Sequence, residues 1–180
     1  MLHEVTVSRV SEEEFLALPQ TQDKVELVDG EIVVSPSPNV WHQKIVGNVY
    51  AALRAWKGSQ AGPVEVIASP SDVRLRTGRI LQPDVYVLFA RVPQDHKGPV
   101  DIVPALCVEV ISGSALYDRV TKRFLYAEAG VREYWVIDPG GRIERWSGPS
   151  LQTCQEHVDG ILETPLLPGL RLPVSDLFAS

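Results

Sequence analysis

The chain has 180 residues, 44% of them hydrophobic and 22% charged, with a formal net charge of −6 at pH 7. That balance suits one globular domain over residues 1–180 with a sizeable core, and no stretch is apolar for long enough to span a membrane. Acidity argues against nonspecific coating of nucleic acid, which needs clustered Lys and Arg, and Cys107 and Cys154 lack the spacing of a disulfide framework or a zinc site.

Met1-Leu2-His3-Glu4 has neither the basic region nor the apolar run of a secretory signal, so a cytoplasmic protein is expected. Ser11-Glu12-Glu13-Glu14 before Phe15 and Leu16 is a capping box opening a short helix that Pro19 ends. Val25 to Val34 reads as a hairpin about an Asp29-Gly30 turn. After Ser35-Pro36-Ser37-Pro38, Asn39 caps a long helix with Trp41, Ile45, Val49, Leu53 and Trp56 at helical spacing, ending at Gly58.

Strands are expected at Val64 to Ala68, Asp72 to Arg76, Ile80 to Phe89 and Ala105 to Ser112, with a Thr77-Gly78 turn. Arg74, Arg76 and Arg79 form the densest basic cluster, which alternation on a strand makes a solvated face before a nucleic-acid groove. Ser112 or Ser114 caps a second long helix to about Ala129, and Gly130 is placed to end it. Val131 to Ile137 and Arg142 to Trp146 follow as strands around Asp138-Pro139-Gly140-Gly141. The tail, with Pro165, Pro168-Gly169 and Pro173, reads as short strand and loop with a helical turn near Ser175. The whole is a mixed α/β (α+β) fold with two main helices and a sheet that is largely antiparallel. Tyr134, Trp135 and Val136 belong to its core, and Trp41 and Trp56 to helix packing or a dimer contact.

One residue breaks the apolar pattern. Glu109 lies inside Leu106-Cys107-Val108-Glu109-Val110-Ile111, and a period of two puts it with Cys107 and Ile111 on one face of the strand. A carboxylate there is costly without a partner. Asp84 follows Pro83, which favours a strand start or edge, so its side chain can reach a neighbouring strand end. Two such acids brought together recruit a cation, and an oxygen-only pair suits Mg²⁺ or Mn²⁺; equally, Asp84 can cap a turn while Glu109 pairs with Lys or Arg. Asp118, Lys122 and Tyr126 are spaced by four and share a helix face, so Lys122 can approach the acids or form an ordinary surface pair with Asp118.

These motifs in order carry a family resemblance: Gln82-Pro83-Asp84, Val108-Glu109-Val110-Ile111-Ser112, Asp118-Arg119 with Lys122, and Gly130-Val131-Arg132-Glu133-Tyr134-Trp135-Val136-Ile137-Asp138-Pro139. Together with Val25-Glu26-Leu27-Val28-Asp29-Gly30-Glu31 and Pro165 to Leu170 they resemble the Uma-type putative restriction endonuclease family of the PD-(D/E)XK nuclease superfamily. The resemblance implies a restriction endonuclease-like core with an N-terminal β-hairpin extension. It implies that Asp84 and Glu109 are the acidic metal ligands. Ile111 stands where the motif normally has its lysine, so the resemblance makes Lys122 the matching amine, displaced to the next helix. Glu26 and His42 match further family positions, as a third acid and a proton-transfer or phosphate-binding group, with a hairpin ion pair and a helix-start hydrogen bond as their structural alternatives. The expectation is a Mg²⁺-dependent (or Mn²⁺-dependent) endonuclease acting on DNA, active as a homodimer because two strands call for two sites related by a two-fold axis. The alternative is a catalytically inactive nuclease-fold binding or assembly module.

Overall fold

The structure is a computed structural model that describes residues 9–179 except Gln20, Pro36 and Ser114. The expectations for Met1 to Glu4, Pro36 and a Ser114 cap lie outside the described residues. Ser11 caps the first helix, α1 (Glu12–Leu16), accepting from Glu14 N at 3.2 Å while its own N–H donates to Glu14 Oε2 at 2.8 Å. The hairpin of β1 (Lys24–Val28) and β2 (Glu31–Ser35) turns on Asp29 and Gly30 at φ of 52° and 93°, a turn that Asp-Gly makes at little cost. Asn39 Oδ1 accepts from His42 N at 2.9 Å at the start of α2 (Val40–Lys57), which buries Ile45, Val49, Leu53 and Trp56 as their spacing predicts.

Four strands follow as β3 (Glu65–Ala68), β4 (Val73–Arg76), β5 (Arg79–Leu81) and β6 (Val85–Leu88). The single strand expected over Ile80 to Phe89 is therefore two strands, belonging to different sheets. The break falls at Gln82-Pro83-Asp84: Pro83 has no N–H for a ladder, and the Gln82 N–H donates to Glu26 Oε1 at 2.9 Å instead of to a strand.

β7 (Leu106–Val110) leads to a π-helical segment, Tyr117–Lys122, that runs on into α3 (Arg123–Ala129). Ser112 makes no capping hydrogen bond among the described residues. Gly130 ends α3 at φ 90°, donating to the Tyr126 and Ala127 carbonyls. The remainder is β8 (Glu133–Asp138), β9 (Arg142–Ser147), β10 (Thr153–His157), β11 (Ile161–Leu162), β12 (Leu172–Pro173) and the turn-length α4 (Val174–Leu177).

A six-stranded sheet in the order β10-β9-β8-β7-β6-β3 forms the centre, antiparallel except where β7 and β8 run parallel across the α3 connection. The hairpin extends a second sheet, β2-β1-β5-β4. One face of the central sheet presents Val85, Val87, Leu106, Val108, Val110 and Trp135 to α2 and the C-terminal segment. Its other face presents Tyr86, Leu88, Cys107, Tyr134 and Val136 to Leu125 and Tyr126 of α3. Cys107 is buried and Cys154 exposed, both as free thiols. No helix among the described residues is long and apolar enough to cross a membrane.

Of the Arg cluster only Arg76 stands on a solvated face. Arg79 is buried and donates to Asp29 Oδ2 at 2.6 Å and Glu128 Oε2 at 2.7 Å, while Arg74 pairs with Glu12 and Asp101 and Arg76 with Asp29. Its charge is met by carboxylates, and the Arg74–Glu12 and Arg79–Glu128 pairs hold the small sheet to α1 and α3. Leu53 lies wholly within the α2 core, so Leu53→Ala is expected to cost about 2–5 kcal/mol in urea unfolding. A loss under about 1 kcal/mol would contradict the docking of α2 on the central sheet.

Candidate active site

The break after β5 sets Asp84 immediately before the start of β6, beside the end of β7. There the Val110 N–H donates to Asp84 Oδ2 at 2.8 Å and fixes the plane of the carboxylate. The same oxygen lies 3.2 Å from His42 Nε2, in the first turn of α2 that Asn39 caps. Asp84 Oδ1 is 3.2 Å from Lys24 Nζ, and that ammonium group is 2.8 Å from Glu109 Oε2. The other Glu109 oxygen, Oε1, accepts from Lys122 Nζ and from the Tyr126 hydroxyl, both at 2.8 Å. Lys122 Nζ also lies 3.1 Å from Glu26 Oε1 and 3.8 Å from Asp118 Oδ1.

All five residues singled out from the sequence, Asp84, Glu109, Lys122, Glu26 and His42, thus meet at one place. All five are buried, and a cleft of about 360 Å³ opens onto Asp84, Glu109, Lys122 and His42. Lys24, Tyr117 and Asp118 complete its wall. A second cleft, about 460 Å³, lies between α2 and the C-terminal segment around Trp56, Arg171 and Asp176, away from every acid pair. The buried Glu133 also gathers partners, from Arg145, Thr164 and Trp135, but none of these residues lines either cleft.

Sequence reasoning passed over Lys24 and gave Asp118 only the role of neighbour to Lys122. A signal for Lys24 existed: it alternates with Glu26 along β1, so both side chains leave the same face of the hairpin. Ile111 packs with the apolar cluster under α3, and the ammonium group that contacts Glu109 arrives from the helix instead.

Burial opposes ionisation of Asp84, but Lys24 and the His42 contact outweigh it and hold the carboxyl well below the usual carboxylate range. For Lys122, burial favours the neutral amine, yet Glu109, Glu26 and Asp118 outweigh it and lift the group well above the normal lysine value. Lys24 is raised too, against its own desolvation, chiefly by Glu109. Asp118 goes the other way from Asp84: burial first, then the nearby Glu109, pushes it up to about 7.

Two buried polar atoms at the site lack a partner among the described residues, Glu26 Oε2 and His42 Nδ1, and the Tyr117 hydroxyl is in the same position. No set of three or more His, Cys, Asp or Glu side chains is gathered for metal binding among the described residues. What the site does offer is a pair of hard oxygens, Asp84 Oδ1 and Glu109 Oε2, converging on a single cation position that Lys24 Nζ fills.

Carboxylates from adjacent strand ends, met by an amine from the following helix on a mixed sheet, make this a restriction endonuclease-like core. The family model described as "Uma2: Putative restriction endonuclease" matches residues 12–175, and the chain belongs to that family. Among solved structures, a putative nuclease belonging to DUF820 from Anabaena variabilis ATCC 29413 is similar, with a TM-score of 0.77, 23% identity, and coverage of 94% of this chain and 97% of that one. That likeness establishes a common fold. No curated protein matches the chain.

Removing one member of a buried charge pair strands the other, so Lys122→Ala is expected to lose about 3–5 kcal/mol. A melting temperature equal to that of the wild type would show that the ammonium group does not neutralise Glu109. Asp118 makes a signed prediction for pH. Below its unfolded value of 3.8 it is protonated in both states; between there and about 7 only the unfolded chain ionises, so stability falls as pH rises through that window. Asp118→Asn escapes this loss, and its melting temperature relative to wild type should therefore be higher at pH 8 than at pH 4.5. A difference that does not change with pH would refute the raised value.

Proposed function

We propose that the protein is a Mg²⁺- or Mn²⁺-dependent endonuclease that hydrolyses phosphodiester bonds in DNA, acting as a single domain over residues 1–180. The observation behind this reading is the meeting of Asp84, Glu109 and Lys122 in one solvent-open cleft, in a chain of the Uma2 family. Asp84 and Glu109 would hold the ion: two carboxylate oxygens suffice for Mg²⁺, which keeps waters and substrate phosphate for its other positions. When bound, the ion supplies charge stabilisation at the phosphate and a more acidic water.

The protein groups then have separate tasks. Lys122, raised well above the ordinary lysine value, stays an ammonium ion at neutral pH; it donates hydrogen bonds to water or to a phosphate oxygen and does not take up a proton. Asp118, near pH 7 in its titration, is the group able to exchange a proton at working pH. Glu26 holds Lys122 together with Glu109. His42 orients Asp84 through Nε2 and keeps Nδ1 for a further hydrogen bond. A homodimer belongs to this reading, and the exposed Leu116, Val120 and Phe124, four residues apart along one helical run, are the apolar surface we assign to it.

The test is cleavage of plasmid and linear DNA with Mg²⁺ or Mn²⁺. Wild type should cut, and Asp84→Ala and Glu109→Ala should each fall at least about a hundredfold. A wild type no more active than the two variants would favour the second reading, a binding or assembly module on the nuclease fold. One observation speaks for that reading: Glu109 is already neutralised by Lys24 and Lys122, so protein groups alone balance its charge.

A further inference from the structure

Lys24 occupies the position between the two carboxylates. Its Nζ lies 2.8 Å from Glu109 Oε2 and 3.2 Å from Asp84 Oδ1, and no other cationic side chain among the described residues reaches both acids. Lys122 touches Glu109, Glu26 and Asp118; His42 touches Asp84. The two lysines also differ in freedom. The side chain of Lys122 is 2% exposed and enclosed by three acids, whereas that of Lys24 is 16% exposed, starts strand β1 and stands in the wall of the open cleft.

We propose that Lys24 is a tethered counter-ion: it holds the Asp84–Glu109 pair together before metal arrives, competes with the divalent ion for the same oxygens, and swings into the cleft when the ion binds. The inference rests on the reading of Asp84 and Glu109 as metal ligands. An ammonium ion and a divalent ion cannot share one gap between the same two oxygens, since both are cations and each needs those lone pairs. The flexible four-carbon stem of lysine lets the charge move without moving the strand. Such a stand-in spares the carboxylates their mutual repulsion and keeps them convergent. It also weakens metal binding by the fraction of molecules in which the gap is free.

The experiment is calorimetric titration of Mn²⁺ into metal-free wild type, Lys24→Met and Lys24→Arg, with melting temperatures measured with and without Mn²⁺. If Lys24 fills the gap in about nine molecules of ten, Lys24→Met should bind Mn²⁺ about tenfold more tightly than wild type. Lys24→Arg, which keeps a cation there, should bind no more tightly than wild type. Metal-free Lys24→Met should melt below wild type and gain more from Mn²⁺; Lys24→Gln serves in its place should the methionine variant not fold. Equal or weaker Mn²⁺ binding by the neutral variant overturns the competition and leaves the metal assignment standing. So does a Mn²⁺-loaded crystal structure in which Lys24 Nζ still spans both carboxylates. Absence of Mn²⁺ binding in folded wild type and folded Lys24→Met overturns the metal assignment and the competition together.

Discussion

Glu109 is 1% exposed on a strand whose five residues are all buried, and everything around the cleft is arranged to make that carboxylate tolerable. An ion taken from water into such a place costs several kcal/mol unless geometry and hydrogen bonds repay it. Here Glu109 Oε1 takes two donors, Lys122 and Tyr126, and Oε2 takes Lys24. Those donors come from the hairpin and from the helical run after β7, so the acid ties two elements remote in sequence to the end of one strand. A hydrophobic residue at position 109 would pack more cheaply. The cost of keeping an acid there is the physical ground for reading this place as a site and not as part of the core.

Asp84 depends on a different constraint, the interruption at Pro83. By the period of two, Asp84 shares the sheet face of Tyr86, whose partner Cys107 lies on the same face as Glu109. With no N–H at Pro83 and the Gln82 N–H given to Glu26, the chain leaves one sheet and enters the other, and Asp84 turns its carboxylate onto the Val110 N–H. Glu26 therefore has two tasks. One oxygen receives the broken strand and faces Lys122, and the other is buried without a partner. The four-stranded sheet, which looks like an appendage, lines the cleft with Lys24, Val33, Val34 and Ser35 and supplies Glu26 to Lys122.

Much of this was legible in the residues. The capping box at Ser11, the Asp29-Gly30 turn, the α2 stripe and the period of two that isolates Glu109 are local signals, and local physics decides them. The ordered motifs then brought five distant positions to one place. The rest was hidden for physical reasons. Ile80 to Phe89 is apolar almost throughout, so hydropathy cannot show a change of sheet. Strand β10, Thr153–His157, has a largely exposed, polar sequence, and only pairing with β9 makes it a strand. Lys24 lies 60 and 85 residues from the acids it contacts, and a cation next to a glutamate on a hairpin looks like any surface charge. Arg79 looked exposed because its partners, Asp29 and Glu128, are equally remote in sequence.

The π-helical segment explains how a spacing of four can hold over two steps. In an α-helix four residues overshoot a full turn of 3.6, so Asp118, Lys122 and Tyr126 would drift steadily around the axis. A π turn closes its hydrogen bonds one residue later and advances less per residue, so four residues fall short of a turn. The step from Asp118 to Lys122 lies inside the π segment and the step from Lys122 to Tyr126 inside α3, so the shortfall of the first offsets the excess of the second. Asp118 and Tyr126 are thereby brought to flank Lys122 on one line, with the ammonium group and the phenol both on Glu109 Oε1. A regular helix over the same residues would keep all three on one face but spread Asp118 and Tyr126 about 80° apart around the axis. The irregular turn thus narrows that spread, and one helical run supplies the cation, the titrating acid and the hydroxyl gathered around Glu109.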